Sequence, residues 1–154
     1  MNLTSPVFEE DGLIPAKYTC DGDRFLSPPL YIENPPEGTK SFVLIVDDPD
    51  VPVEVMPEKL FTHWVLFDIP ADTEGIPEGT HPGHLGMNTR GEAQYSGPCP
   101  PPEYDPAEHR YFFKLFALDS MLNLEAGSSR EHIEEALEGH VLERIELVAR
   151  YRRT

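Results

Sequence analysis

Period-two alternation of apolar and polar residues runs through several segments of the chain and predicts a mainly β protein. In segment 109–119 both faces of the predicted strand carry mostly apolar side chains, which is typical of a strand in the middle of a sheet. Segments 41–47 and 62–69 are apolar runs bounded by turn residues, so they predict two further buried strands. Segment 141–151 alternates again and predicts the last strand.

Turn residues shape the segments between these strands. Residues 1–34 predict short extended pieces, with an edge strand at 4–8 and a short strand at 30–32. Residues 70–94 contain glycine or proline every few positions, and so long a loop in a compact domain is usually functional. We therefore expect it to wrap a ligand pocket. The prolines of segment 94–102 exclude helix and interior strand there, and they predict a stiff loop.

One helix is predicted near the C-terminus. It begins near Ser129, where Ser128 and Glu131 fit a capping box, and it ends at Gly139. Many short strands with a single helix indicate an antiparallel β-sandwich. The length is that of one domain, spanning 1–154, which can bury a substantial core.

The charge balance narrows the class of partner. With 28 acidic and 12 basic residues the formal net charge is −16, so nucleic acid and anionic membrane surfaces would be repelled. Such an acidic, lysine-poor chain is typical of a salt-rich cytoplasm, because at molar salt the Debye length falls to about 3 Å. An ordinary acidic protein fits equally well, and both interpretations stay open.

The start of the chain, Met1 to Pro6, has no basic region followed by a long apolar run. No window approaches the roughly 20 apolar residues that span a bilayer. We therefore expect a cytoplasmic protein without stable membrane insertion. The two cysteines, Cys20 and Cys99, are either adjacent buried thiols or a disulfide, and in both cases we expect their Cα atoms within about 7 Å.

Five sets of motifs follow one another along the chain in a recognisable order. They are Tyr18-Thr19-Cys20-Asp21-Gly22 with Ser27-Pro28-Pro29-Leu30, Asp47-Asp48-Pro49-Asp50, His63-Trp64-Val65-Leu66-Phe67-Asp68-Ile69-Pro70, Tyr95-x-Gly97-Pro98-Cys99-Pro100-Pro101 with His109-Arg110-Tyr111, and Gly139-His140-Val141-Leu142. Together they resemble the phosphatidylethanolamine-binding protein family, in its bacterial and archaeal, Raf kinase inhibitor-like branch. The resemblance covers nearly the whole chain.

The resemblance implies a Greek-key antiparallel β-sandwich with one main helix and long loops that form a pocket. It implies a small anion or a phosphoethanolamine-like phosphorylated molecule as the ligand. It also offers a protein kinase or a serine protease as the partner of an inhibitor, and a homodimer as the assembly. It brings no required metal or other cofactor.

By the same resemblance, side chains at strand ends line one small anion pocket, and the stiff loop forms its wall. The ligand-binding residues that it implies are Asp48, Asp50, His63, Tyr95, Gly97, Pro98, Pro100, His109 and Tyr111.

The chemistry of this set suits a phosphate group, because imidazoles, a phenol and loop N–H groups can donate hydrogen bonds to it. Neighbouring carboxylates would hold the imidazoles protonated. The plainer interpretation is that Asp48 and Asp50 cap a turn while His63 and His109 bond to the backbone. The order of the motifs favours the pocket. We also expect the Asp48–Pro49 bond to be cis, so that the turn returns Asp50 towards the pocket.

Two sharper interpretations of the same residues are weaker. Carboxylates and imidazoles could bind zinc, manganese or iron, but the Asp-Asp-Pro-Asp spacing of residues 47–50 matches no ligand motif. Cys99 could pair with His109 as a thiolate, but prolines on both sides of Cys99 favour a structural cysteine. We therefore expect no catalytic residue, no metal and no cofactor.

The predicted function is non-enzymatic binding of a small anion or phosphorylated head group. A small hydrolase using the same aspartates and histidines is the first alternative. The second is an inhibitor of a kinase or serine protease that acts through the loops 51–60 and 101–108.

Overall fold

The structure is a computed structural model, and it describes residues 1–153. Within these residues it has nine β-strands, one 3-10 helix and one α-helix. The strands are β1 Asn2–Thr4, β2 Gly12–Leu13, β3 Leu30–Glu33, β4 Ser41–Asp48, β5 Phe61–Pro70, β6 Gly75–Ile76, β7 His84–Leu85, β8 His109–Leu118 and β9 Val141–Tyr151, and the helices are the 3-10 helix Ala16–Tyr18 and α1 Arg130–Leu137. No helix of the described residues is long and apolar enough to cross a membrane.

The strands form two sheets, as the predicted sandwich requires. The larger sheet has the order β2-β9-β8-β4-β5-β7, and the smaller has the order β1-β3-β6. Neighbouring strands are antiparallel except β2 and β9, which run parallel. Strand β8 lies between β4 and β9, so its predicted central position is confirmed. Strands β4, β5 and β7 are successive neighbours in the larger sheet, and the chain then returns from β7 to place β8 beside β4, which is a Greek-key arrangement.

Two hydrophobic clusters explain why β4 is buried along its whole length. Phe42 and Leu44 belong to the main core, together with residues of the smaller sheet. Val43 and Ile45 point to the other face, where they pack with Ile133 of helix α1. A strand covered on both faces needs apolar side chains at successive positions, which is the run seen in the sequence.

The helix and the N-terminal strand differ from prediction in detail. Ser129, not Ser128, caps the helix, because its hydroxyl accepts the backbone N–H of His132 while the Ser128 hydroxyl donates to Glu125 O. The first strand occupies Asn2–Thr4 instead of 4–8. Pro6 cannot donate to a sheet, and the chain turns before it.

The prediction of a cis Asp48–Pro49 bond is wrong, since the cis bond in the structure is Asp105–Pro106. Asp48 Oδ1 accepts the backbone N–H of Asp50 at 2.7 Å, and this local turn reverses the chain without a cis bond. The loop predicted at 70–94 also contains the two-residue strands β6 and β7, which its sequence pattern does not reveal.

Candidate functional site

Three strands of the larger sheet bring polar side chains together at one end. Asp48 ends β4, His63 lies near the start of β5, and His109 and Tyr111 open β8. Because β4 is antiparallel to both β5 and β8, the end of β4 meets the starts of the other two. These side chains line a cavity of about 110 Å³.

His109 and Asp48 form a buried pair in this cavity. The Nδ1 atom of His109 lies 2.6 Å from Asp48 Oδ2, and both side chains are almost fully buried. The other carboxylate oxygen accepts the N–H of Asp50. Both oxygens of Asp48 therefore accept hydrogen bonds, so the Nδ1 atom of His109 is the donor and carries the hydrogen.

His63 is held by the main chain. Its Nδ1 atom lies 2.6 Å from the carbonyl oxygen of Ser96, and its ring packs edge-on against the ring of Tyr111. A carbonyl oxygen can only accept, so Nδ1 of His63 also carries its hydrogen. Burial lowers the pKa of His63 because the charged ring loses its hydration, although the Ser96 carbonyl and Asp48 oppose this effect.

Three buried polar atoms of the site have no hydrogen-bond partner within residues 1–153. They are Nε2 of His63, Nε2 of His109 and the hydroxyl oxygen of Tyr111. Burial, with a contribution from Asp48, raises the pKa of Tyr111, so this side chain remains a hydroxyl. Buried polar groups are rarely left unpaired in proteins. Their convergence on one cavity therefore indicates a place for a polar ligand.

The stiff loop forms the wall of the cavity, as predicted, and it is tied to the N-terminal segment. Cys99 and Cys20 form a disulfide with a Cα–Cα distance of 5.3 Å, within the predicted limit. The backbone N–H of Cys20 donates to Pro98 O. At Gly97 a Cβ atom would lie 2.2 Å from Tyr18 O, so only glycine allows this close approach.

The comparisons with known proteins agree with this architecture. The family model described as "Phosphatidylethanolamine-binding protein" matches residues 4–152. The chain belongs to this family. A relative, a UPF0098 protein of Methanothermobacter thermautotrophicus, is 46% identical over 160 residues, and the match covers 99% of this chain and 99% of the relative.

Two solved structures of family members superpose closely on the chain. One is the putative phosphatidylethanolamine-binding protein homologue CT736 from Chlamydia trachomatis, with a TM-score of 0.92, 40% identity, and coverage of 99% of this chain and 97% of that one. The other is E. coli YbcL, described as a member of the mammalian family, with a TM-score of 0.86, 27% identity, and coverage of 99% and 98%. They confirm the fold and the family that the motifs indicate.

Not every residue expected from the family resemblance reaches the cavity. Six of the nine line it, and these are Asp48, His63, Gly97, Pro100, His109 and Tyr111. Asp50 instead forms a two-pronged ion pair with Arg110, which lowers the pKa of Asp50. Tyr95 lies behind the wall, where its hydroxyl donates to Tyr18 O. Pro98 does not line the cavity, and its carbonyl oxygen accepts the backbone N–H of Cys20.

The wall also supplies fewer donors than the sequence suggested. Pro98, Pro100 and Pro101 have no N–H group, and the N–H of Gly97 donates to Arg24 O at 2.7 Å. Within 97–101 only the N–H of Cys99 remains. The loop therefore offers a ligand at most one backbone donor, because the same prolines that stiffen the loop have no N–H group.

Arg90 is the main cavity residue that the sequence analysis missed. It lies in the loop 70–94 that was expected to wrap the pocket, its Nε atom donates to the Ser96 hydroxyl, and its guanidinium lies over the ring of Phe61. Apolar lining comes from Val51, Val55, Phe61 and Pro101. No periodic pattern of the sequence indicates the position of a single cation in a loop. Only the prediction that the loop 70–94 wraps the pocket indicated that one of its residues could reach the cavity.

The structure also bears on the two weaker interpretations of the polar residues, a metal site and a thiolate pair. Asp47 points to the opposite face of β4, where it pairs with Lys114 and Arg130, so it does not join the other aspartate at the cavity. Cys99 is in the disulfide and has no thiol to pair with His109. Among residues 1–153 no group of three or more histidine, cysteine or carboxylate side chains is placed to hold a metal ion.

Larger depressions lie elsewhere on the described surface. One of about 760 Å³ is lined by residues near Tyr31 and Asp72, and one of about 620 Å³ lies between Leu60 and the start of helix α1. Two more, of about 320 and 180 Å³, lie beside Lys114 and Arg144. None of these four is lined by a residue whose buried polar atom lacks a partner. The cavity of about 110 Å³ is therefore the candidate site.

Proposed function

We propose that the protein is a non-enzymatic binding protein whose cavity holds a small oxyanion, such as the phosphate group of a phosphorylated small molecule. The observation that supports this most is the convergence of the unpartnered His63 Nε2, His109 Nε2 and Tyr111 hydroxyl on one cavity. Arg90 at the same cavity adds a positive charge in a chain of net charge −16. An oxyanion would pair with these groups at a single position.

The size and lining of the cavity support an ion or a head group. Its volume of about 110 Å³ is smaller than the roughly 300 Å³ at which pockets for drug-sized ligands begin. Val51, Val55 and Phe61 add apolar surface around the polar groups. A phosphoethanolamine-like molecule would place its phosphate among the polar atoms and its organic part against this apolar surface.

Binding is favoured over covalent catalysis through an oxygen or sulfur nucleophile, because among residues 1–153 no serine or threonine lines the cavity. Cys99 is in the disulfide and has no thiol. The raised pKa of Tyr111 makes its phenolate scarce. The pair of His109 and Asp48 could still activate a water molecule, so a small hydrolase is the second candidate.

Calorimetric titration with phosphoethanolamine tests the proposal. We expect binding to the parent protein and a loss of at least about tenfold in affinity for His109→Ala, since the variant loses a buried ligand contact. His140→Ala is the matched control, because His140 makes a similar bond to Asp119 on the surface. Absence of binding, or equal affinity in His109→Ala, would refute the proposed site.

A turnover assay on phosphoesters separates binding from hydrolysis. We expect no hydrolysis by the purified protein above the rate of a buffer blank. Turnover that disappears in His109→Ala but persists in His140→Ala would favour the hydrolase instead.

We also propose that the loops beside the cavity contact a partner protein, a kinase or a serine protease. Val53 and Val55 are 52% and 53% exposed in the loop 51–60, and only Val55 lines the cavity. Replacing Val53 with serine should weaken inhibition of such a partner, whereas His63→Ala should leave it intact. Inhibition that follows His63 and ignores Val53 would place the partner's contact in the cavity.

A further inference from the structure

We propose that the cavity selects oxyanions that carry a proton of their own, such as hydrogen phosphate or a singly protonated phosphomonoester, over permanently ionised ones such as sulfate. The inference rests on the proposed function and adds the class of oxyanion. Its basis is the direction of the hydrogen bonds that hold His63 and His109. When the rings are neutral, these bonds leave a lone pair rather than a hydrogen on the nitrogen of each ring that faces the cavity.

The first step concerns His63. Its Nδ1–H group is committed to the Ser96 carbonyl at 2.6 Å, so the neutral ring has a lone pair, not a hydrogen, on Nε2. The charged groups that act on this ring are Asp47, Asp48 and Arg90. Burial outweighs the two aspartates and lowers the pKa of His63, so the ring is neutral near pH 7 in the ligand-free cavity.

The second step concerns His109, which is fixed by a side chain instead of the backbone. Asp48 accepts from Nδ1 of His109 with one oxygen and from the N–H of Asp50 with the other. The neutral ring therefore also presents a lone pair on Nε2 to the cavity. Neither Nε2 atom has a partner in the part of the chain that the structure describes.

The third step counts the donors that remain for a ligand. Tyr111 supplies one hydroxyl hydrogen, Arg90 supplies guanidinium hydrogens, and the wall supplies at most the N–H of Cys99. Against these stand two histidine nitrogens that need a hydrogen from the ligand. A fully deprotonated oxyanion would leave both nitrogens facing oxygen lone pairs.

One proton relieves one of these two contacts, and it can come from either of two places. Hydrogen phosphate can donate its own P–O–H hydrogen to one Nε2 atom and accept from Tyr111 and Arg90 with its other oxygens. Otherwise a histidine must take up a proton from solvent, which burial opposes at His63. Sulfate has only the second route, because it carries no proton near neutral pH. Phosphate is therefore preferred, because in its complex fewer oxygen lone pairs of the ligand face the lone pairs of the histidine nitrogens.

Proton uptake gives the pH dependence a definite sign. The negative charge of a bound oxyanion raises the pKa of His63, which burial lowers in the ligand-free cavity. An oxyanion that brings no proton of its own therefore binds above the ligand-free pKa with uptake of a proton. Affinity is then highest at low pH and falls as pH rises through the pKa of the bound state. For a phosphomonoester the loss of its last proton, near pH 6, adds to the fall above that pH.

Calorimetric titration with inorganic phosphate and with sulfate at about pH 6 tests the selection. We expect phosphate to bind about tenfold or more tightly than sulfate, the effect of leaving one buried acceptor unpaired. Repeating both titrations at higher pH, in two buffers of different ionisation enthalpy, should show more proton uptake with sulfate than with phosphate. Equal affinities for the two ions, or equal proton uptake, would overturn the inference.

Asp48→Asn supplies an independent test. An asparagine can accept from the N–H of Asp50 with its oxygen and donate to Nδ1 of His109 with its amide, so the neutral ring would carry its hydrogen on Nε2 and donate to the ligand. The preference for phosphate over sulfate should therefore shrink several-fold. Asp119→Asn, behind the surface residue His140, is the matched control and should leave the preference unchanged. A preference unchanged in Asp48→Asn would contradict the assignment of the rings.

The outcomes separate this inference from the proposed function. If neither phosphate nor sulfate binds, the proposed oxyanion site fails, and the inference fails with it. If both ions bind with the same affinity, the oxyanion site stands and only the selection is refuted. Thermal unfolding of each variant establishes that a lost preference does not come from a lost fold.

Discussion

The hydrogen-bonding roles of the cavity histidines are set by the groups behind them. The carbonyl of Ser96 and the carboxylate of Asp48 decide which nitrogen of each histidine carries hydrogen. Tyr95 contacts Tyr18 O, and it supports the wall without reaching the cavity. The chemical character of the site therefore depends on groups that a ligand never touches.

Gly97→Ala should destabilise the protein, because the added Cβ atom would lie 2.2 Å from the backbone oxygen of Tyr18. We expect a loss of about 1–3 kcal/mol in the free energy of unfolding, the usual effect of forcing extra atoms into a packed region. Urea unfolding measures it. Gly75→Ala is the control, because its nearest neighbour is a side-chain atom of exposed Tyr31 at 3.3 Å. Equal stability of the two variants would show that the wall can move aside.

At the scale of elements, the sequence predicted the long strands and the short strand β3, and it missed the two-residue strands. β4, β5, β8 and β9 have enough residues for an apolar pattern to be recognised. The strands β2, β6 and β7 have only two residues each, which is too few for an alternation of apolar and polar residues to be recognised. Their pairing depends on where the rest of the sheet lies. The predicted capping serine, Ser128, lies one residue before the observed one, Ser129. Both are suitable caps by residue type, and only backbone geometry distinguishes them.

The site was predictable to the extent that it lies on those long strands. Asp48, His63, His109 and Tyr111 sit at strand ends, where the family motifs and the sheet topology both place them. The position of Arg90 was not predictable, because loop residues reach a site through turns that no periodicity describes. The ring orientation of His63 was not predictable either, since it depends on a carbonyl 33 residues away in the chain.

At the scale of the whole molecule, the excess of acidic residues is the dominant property. The net charge of −16 is carried by a chain of 154 residues, and its surface ion pairs, such as Lys17 with Glu78 and Arg144 with Glu146, compensate only part of it. Exposed ion pairs of this kind contribute about 0–1 kcal/mol each. Repulsion among the remaining carboxylates opposes the compact state.

Salt should therefore raise the thermal unfolding temperature. Molar KCl shortens the Debye length to about 3 Å and screens the repulsion, while the weak surface pairs lose little. A melting series from low to molar KCl, followed by circular dichroism, measures the effect. A melting temperature that stays constant over this range would favour the ordinary acidic protein over one suited to a salt-rich cytoplasm.

The joint between the N-terminal turn and the cavity wall has a consequence for the cellular setting of the protein. The disulfide of Cys20 and Cys99 connects positions 79 residues apart, but it does not act alone. Three hydrogen bonds cross the same junction, from Cys20 N–H to Pro98 O, from Gly97 N–H to Arg24 O and from the Tyr95 hydroxyl to Tyr18 O. None of them involves sulfur. A reducing compartment would remove one of four connections, and the wall would keep the other three.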